Sequence, residues 1–206
     1  FGDVDKVSWR GEFHEGNNPL RRMVLAYMGY VVPLLAEGKE GDLEIVCRLL
    51  DGLETQNPWS APGVFRDVWN AYTTSHRMIN LLSGLALYSQ SGAIPDKVLK
   101  TRILEHVRLC AAFIRANLER DLQYNHLLKN YVALTVFAAA VGSLPVEFEF
   151  LPKAMRKSVA QNILPDGGHA ERCPMYHVLS ILDFEVLCAS GVFDKDLSNL
   201  LRETKT

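Results

Sequence analysis

Strand signals are almost absent from this chain, and runs of alternating apolar and polar residues are rare, which excludes a fold built on sheets. Charge of one sign is lacking as well: 22 Lys and Arg stand against 24 Asp and Glu, a formal net charge of -2. No basic stripe marks a nucleic-acid binder, so an anionic partner needs a local basic patch. The four cysteines, Cys47, Cys110, Cys173 and Cys188, have neither a CxxC nor a metal-ligand spacing and read as free thiols. No set of His, Cys, Asp and Glu has the spacing of a metal site, so neither a metal nor another cofactor is expected of this chain. Long apolar runs are missing too. Met23–Leu35 is interrupted by Gly29 and Pro33 and is too short to cross a bilayer. There is no signal-like segment, no low-complexity stretch and no repeat, and the abrupt start over Phe1–Ser8 reads as that of a fragment.

What is present is apolar residues at helical spacing, punctuated by Gly, Pro and Asn. The pattern predicts helices over Asn18–Glu37, started by Asn17-Asn18-Pro19 and stopped by Gly38, and over Asp42–Leu53, with Asp42 as N-cap. Further helices are expected over Thr73–Gln90, Pro95–Glu119, Asn125–Val141, Phe148–Asn162, Met175–Ser190 and Asp194–Glu203. The length suits one sizeable domain, and helices with short connections pack antiparallel. Such hairpins close either as a bundle or as a curved α/α toroid, and periodicity does not choose between them.

Two loops exceed what a connector needs. One, Asn57–Tyr72, carries Trp59 and Trp69, which read equally as stacking faces for sugar rings or as a hydrophobic plug. The other, Leu164–Tyr176, sets Gly, His, acidic and basic groups between apolar helices, where function tends to sit. Taken singly, Asn125 before a helix is a cap, Tyr176 at a helix start is a packed aromatic, and His169 and His177 are hydrogen-bonded loop or cap residues. Glu171 and Arg172 read as loop-ordering groups. Arg77 is either a tie between helices or a cleft cation.

Their joint occurrence carries more. The string Pro165-Asp166-Gly167-Gly168-His169-Ala170-Glu171-Arg172-Cys173-Pro174-Met175-Tyr176-His177 resembles the DGGHxERSPMYH signature of heparinase II/III-like polysaccharide lyases. Tyr124-Asn125-His126-Leu127-Leu128-Lys129-Asn130 is similar to the NHLLEN helix start of the same family, and Trp69 with Ser75, Arg77, Ile79 and Asn80 resembles its upstream helix. The resemblance implies an all-α fold, an incomplete α/α toroid of antiparallel hairpins over 1–206, in a longer chain with a C-terminal β-sandwich domain. It implies β-elimination at a uronic acid of an acidic polysaccharide, in the periplasm or outside the cell. The proton removed lies α to a carboxylate and is far too weakly acidic until that carboxylate is neutralised. By matching position Asn125, assisted by His126, neutralises it with uncharged amide donors. Tyr176 is the general acid, and in some members also the base. His169, His177, Arg77, Trp69 and Trp59 line the substrate.

Three departures from the family pattern stand out. Cys173 replaces a usual Ser. Lys129 replaces a usual Glu and reverses a charge one turn from Asn125. The 206 residues leave no room for the sandwich, whose His the chain alone would lack, so the chain alone is expected to be inactive. Two other readings compete. An inverting glycoside hydrolase needs two carboxylates roughly 6.5–9.5 Å apart, whereas Asp166 and Glu171 share one loop. A non-catalytic polysaccharide-binding or assembly protein keeps the fold without the chemistry.

Overall fold

The structure is a computed structural model that describes residues 3–11 and 19–204; the expected helix start at Asn17 and Asn18 lies outside the described residues. The single helix expected over Asn18–Glu37 is two, α1 (Pro19–Ala26) and α2 (Val31–Ala36), broken at Met28, which has a left-handed φ of 56°. The break frees backbone carbonyls that must find donors. Ala26 O accepts from Arg77 Nη1 at 3.2 Å, and Tyr27 O accepts from Asn80 Nδ2 at 2.8 Å. Side chains distant in sequence thus stabilise the interruption, which local periodicity cannot reveal.

The chain divides into two compact units, Phe1–Asn117 and Leu118–Thr206. In the first, α1 and α2 are followed by α3 (Asp42–Gln56), a short α4 (Val64–Asp67), α5 (Ala71–Gln90) and α6 (Lys97–Ala116). Asp42 is not the N-cap of α3. Gly41 holds that place at φ 88°, and the Asp42 carboxylate accepts from Lys39 N–H at 2.9 Å. Asp96 does cap α6, accepting from the N–H groups of Val98 and Leu99. Helix α5 packs against α2 and α6, and α3 against α6. Gly84 permits the close approach of α2, since a Cβ there would sit 2.9 Å from Leu35 Cδ1. Apolar residues at helical spacing form the core: Leu43, Val46, Leu50 and Leu53 of α3, and Ile103, Val107, Cys110 and Ile114 of α6. Full burial of each such aliphatic side chain contributes roughly 1.5–3 kcal/mol.

Asn70 joins α4 to α5. Its Oδ1 accepts from Thr73 N–H at 2.7 Å, and its Nδ2 donates to Arg66 O at 3.0 Å. Asn70→Ala is expected to destabilise the chain by about 1–2 kcal/mol, and Asn70→Asp by less, because Asp keeps the cap. Urea denaturation midpoints of the two variants check the order.

The second unit holds α7 (Tyr124–Val141), α8 (Leu151–Asn162), α9 (Pro174–Ala189) and α10 (Lys195–Glu203). Helix α7 packs on α8 and α9, and α10 on both α8 and α9. Ala138 and Gly142 at the end of α7 line one cavity with Ser190 and Val192 just past α9. The two C-termini therefore lie together, so α7 and α9 run parallel. A Lys129–Asp183 ion pair, side chains 13% and 9% exposed, ties the second turn of α7 to a point just past the middle of α9. Helix α9 buries Asp183, Phe184 and Leu187 and leaves Met175, Val178, Leu182 and Val186 exposed along the opposite stripe. Among the described residues there is no named strand, and no helix is long and apolar enough to cross a membrane.

Candidate active site

The loop before α9 is built by its turn residues. Gly167 N–H donates to Leu164 O at 2.9 Å, with Pro165 and Asp166 between them and Gly167 at φ 81°. Proline presets the first turn position, and glycine takes the left-handed one without a Cβ penalty. Asp166 Oδ1 accepts from Gly168 N–H at 3.0 Å, so this carboxylate orders the turn. Leu164 N–H to Gly168 O and Ala170 N–H to Asn162 O close the hairpin, with Ile163 bridged to His169.

That hairpin buries His169, which is 2% exposed. Its Nδ1 accepts from Glu171 N–H at 3.2 Å, which puts the proton of the neutral ring on Nε2. Nε2 is buried without a protein partner, and the ring centroid stands 6.2 Å from that of Tyr176. Burial holds the His169 pKa below its ordinary value; the His177 imidazole acts in the same direction, and Glu171 opposes both. The unfolded chain therefore binds the extra proton first as pH falls. Stability is expected to be full above about pH 6.5 and to decline below it through this group. Denaturation midpoints between pH 5 and 8 check this, and His169→Gln flattens the decline.

Arg172, at φ 50°, turns the chain into Cys173 and Pro174, and Pro174 opens α9, where its missing N–H costs nothing. Tyr176 stands in the first turn, half-buried, its hydroxyl without a hydrogen-bond partner among the described residues. His169, His177, Arg172 and Cys173 line a cavity of about 370 Å³.

The start of α7 is strained in the same way. Gln123 and Tyr124 have φ of 54° and 39°, costing on the order of 1–3 kcal/mol each. A lock beneath them holds this geometry: Asn130 Nδ2 donates to Glu119 Oε2 at 3.0 Å, and Glu119 N–H donates to Asn130 Oδ1 at 3.0 Å. Glu119 Oε1 also lies 3.5 Å from His126 Nδ1. Asn125 is not a cap, because Gln123 holds the cap position and makes no side-chain cap bond. Asn125 sits inside the first turn, half-buried, its side-chain amide unbonded among the described residues. It precedes Lys129 by one turn, and Tyr176 precedes Asp183 by about two, so each shares a face with its half of the ion pair. With α7 and α9 parallel, both first turns stand at one end. Their unpaired N–H groups and positive helix ends favour an anion there.

The unit-one candidates divide. Arg77 is fully buried, and its guanidinium bonds Ala26 O, Val68 O and His106 Nε2, so it is the helix tie and not a cleft cation. His106 in turn meets Glu54 through Nδ1 at 2.5 Å. Trp69 is 2% exposed, its Nε1 donating to Asn57 O, with Arg77 over its ring at 4.7 Å. It is the plug of the two readings, out of reach of a sugar. Trp59 is 51% exposed, edge-on to Trp69. The sequence reading missed the Glu119–Asn130 lock, although Asn130 lies in the quoted motif, and it saw Lys129 only as a reversed charge.

By sequence, no family model and no curated protein matches the chain. By structure, it is similar to the heparan sulfate lyase HepC from Pedobacter heparinus, at 16% identity and a TM-score of 0.70, over 97% of this chain and 33% of that one. It is also similar to the heparinase III BT4657 gene product, at 18% identity and a TM-score of 0.66, over 100% of this chain and 36% of that one. The chain spans about a third of the length of these lyases. It has a heparinase-like helical fold, the all-α, α/α-toroid class that its sequence led us to expect.

Proposed function

We propose that this chain is the helical part of a polysaccharide lyase that cleaves a uronate-containing polymer by β-elimination. What supports the reading is that Asn125 and Tyr176 belong to the first turns of two helices that pack on each other, and that neither side chain has a hydrogen bond among the described residues. In this mechanism the Asn125 amide, the first-turn N–H groups and His126 hold the uronate carboxylate. The proton α to the carboxylate leaves to a base, its electron pair forms the ring double bond, and the bond to the glycosidic oxygen breaks. Tyr176 delivers a proton to that oxygen. His169, neutral through burial, offers its Nε2–H beside Tyr176 without adding charge.

The base is a His of a following β-sandwich domain or Tyr176 itself. Two observations support a longer chain: the chain covers a third of the lyases' length, and α9 leaves an apolar stripe in water. Secretion or a periplasmic place fits the substrate. Assay of the protein with its following domain on acidic polysaccharides tests the reading. A lyase gives new ultraviolet absorbance from a 4,5-unsaturated uronate. New reducing ends without absorbance mean a hydrolase, and binding without products means a non-catalytic protein; either result sinks the proposal.

A further inference from the structure

A second polar concavity lies in the first unit. Arg10, Arg22, Asn57, Arg66 and Asp67 line a cavity of about 240 Å³, walled by Pro62 and Gly63. Asp67, the carboxylate among its described lining residues, is 6% exposed and accepts from Arg22 Nε at 2.7 Å and from Val68 N–H at 3.0 Å. Among the described residues, three guanidiniums thus face one carboxylate that is already committed, in a chain whose formal net charge is -2. This concentration is local and does not follow from a generally basic protein.

The groups differ in freedom. Arg22, 8% exposed, forms a fixed floor with Asp67. Arg10 Nη2 donates to Pro62 O at 2.7 Å, and Arg10 Nη1 reaches Asn57 Oδ1 at 3.4 Å, which aims its guanidinium across the opening. Arg66 is exposed, and its guanidinium has no partner among the described residues. The loop that supplies Asn57 and Pro62 also supplies exposed Trp59, and Phe65, 52% exposed and parallel to Phe113, adjoins Arg66. Forked guanidiniums match the paired oxygens of a sulfate or carboxylate, and exposed aromatic faces stack on sugar rings.

We propose that the Arg10–Arg22–Arg66 pocket binds a sulfate or carboxylate group of an acidic saccharide, as an anchoring site in the first unit. The proposal takes its polymer class from the functional reading above, but its chemistry does not depend on Tyr176 or Asn125.

The test is calorimetric titration of the 206-residue chain with inorganic sulfate, a sulfated uronate oligosaccharide, its desulfated form and neutral dextran. Arg66→Ala is the main variant, because an exposed, unpartnered side chain leaves folding intact; Arg10→Ala is the second. The sulfated or the desulfated oligosaccharide, both being anions, is expected to bind and to lose about tenfold to a hundredfold in affinity in Arg66→Ala. The preference between them identifies sulfate or carboxylate as the group held. Turnover of the protein with its following domain, read by the unsaturated product, is measured separately, which separates failure here from failure of the lyase reading. Equal affinity in the parent and both arginine variants overturns the proposal. So does equal binding of neutral dextran, or binding of inorganic sulfate with none of either oligosaccharide.

Discussion

Tyr176→Phe, in the protein with its following domain, is expected to abolish turnover while leaving stability nearly unchanged. The ring keeps its packing beside His169, and the lost hydroxyl has no partner among the described residues, so the folding cost is expected to stay below about 1 kcal/mol. In the mechanism proposed above, the phenol is the group that protonates the departing oxygen. Asn125→Ala is expected to slow turnover by about 10²–10³, because its amide acts on charge that grows in the transition state. The Asn125 side chain makes no hydrogen bond among the described residues, so its loss also separates rate from stability. The appearance of unsaturated product, read beside urea midpoints, checks both variants. Turnover near wild type in Tyr176→Phe would remove Tyr176 as the acid.

Lys129→Met is expected to cost about 3–5 kcal/mol, the typical penalty for leaving one buried charge without its partner. Asp183 then stands alone at 9% side-chain exposure. Burial already pushes its carboxyl above the ordinary carboxylate range, against the pull of Lys129. With Lys129 gone, Asp183 takes up a proton more readily, so the deficit is expected to shrink as pH falls. Lys129→Glu, which restores the family's charge, is expected to be worse at neutral pH because it sets two carboxylates together. Lys129→Met with Asp183→Leu is expected to recover most of the loss. Urea denaturation of the four proteins at pH 5 and pH 7.5 checks the ordering.

Most helices were legible because apolar residues recur with the helical period and the caps Asp96 and Asp194 keep their usual roles. The break between α1 and α2 was not, because what stabilises it, Arg77 and Asn80, lies some 50 residues away. The site residues were named from two motifs, and the structure sets the two motif helices side by side. Motifs do not report burial, however. Trp69 and Arg77, in the upstream pattern, are buried in the core, and residue type alone does not tell a core arginine from a cleft arginine. The left-handed Gln123 and Tyr124 were invisible, since neither residue type announces that backbone.

The parallel run of α7 and α9 also separates two kinds of tolerance to change. The loops before them, 118–123 and 163–173, end on helix starts whose positions are fixed lower down by the Lys129–Asp183 clamp and the shared packing face. Exchange of side chains on those loops alters what the rim recognises without asking the helices to repack. A change one turn below does the reverse, loosening both rims at once. Variation in polymer preference among proteins with this fold is therefore expected to collect in the loops, while the helical contacts beneath drift slowly and in compensating pairs.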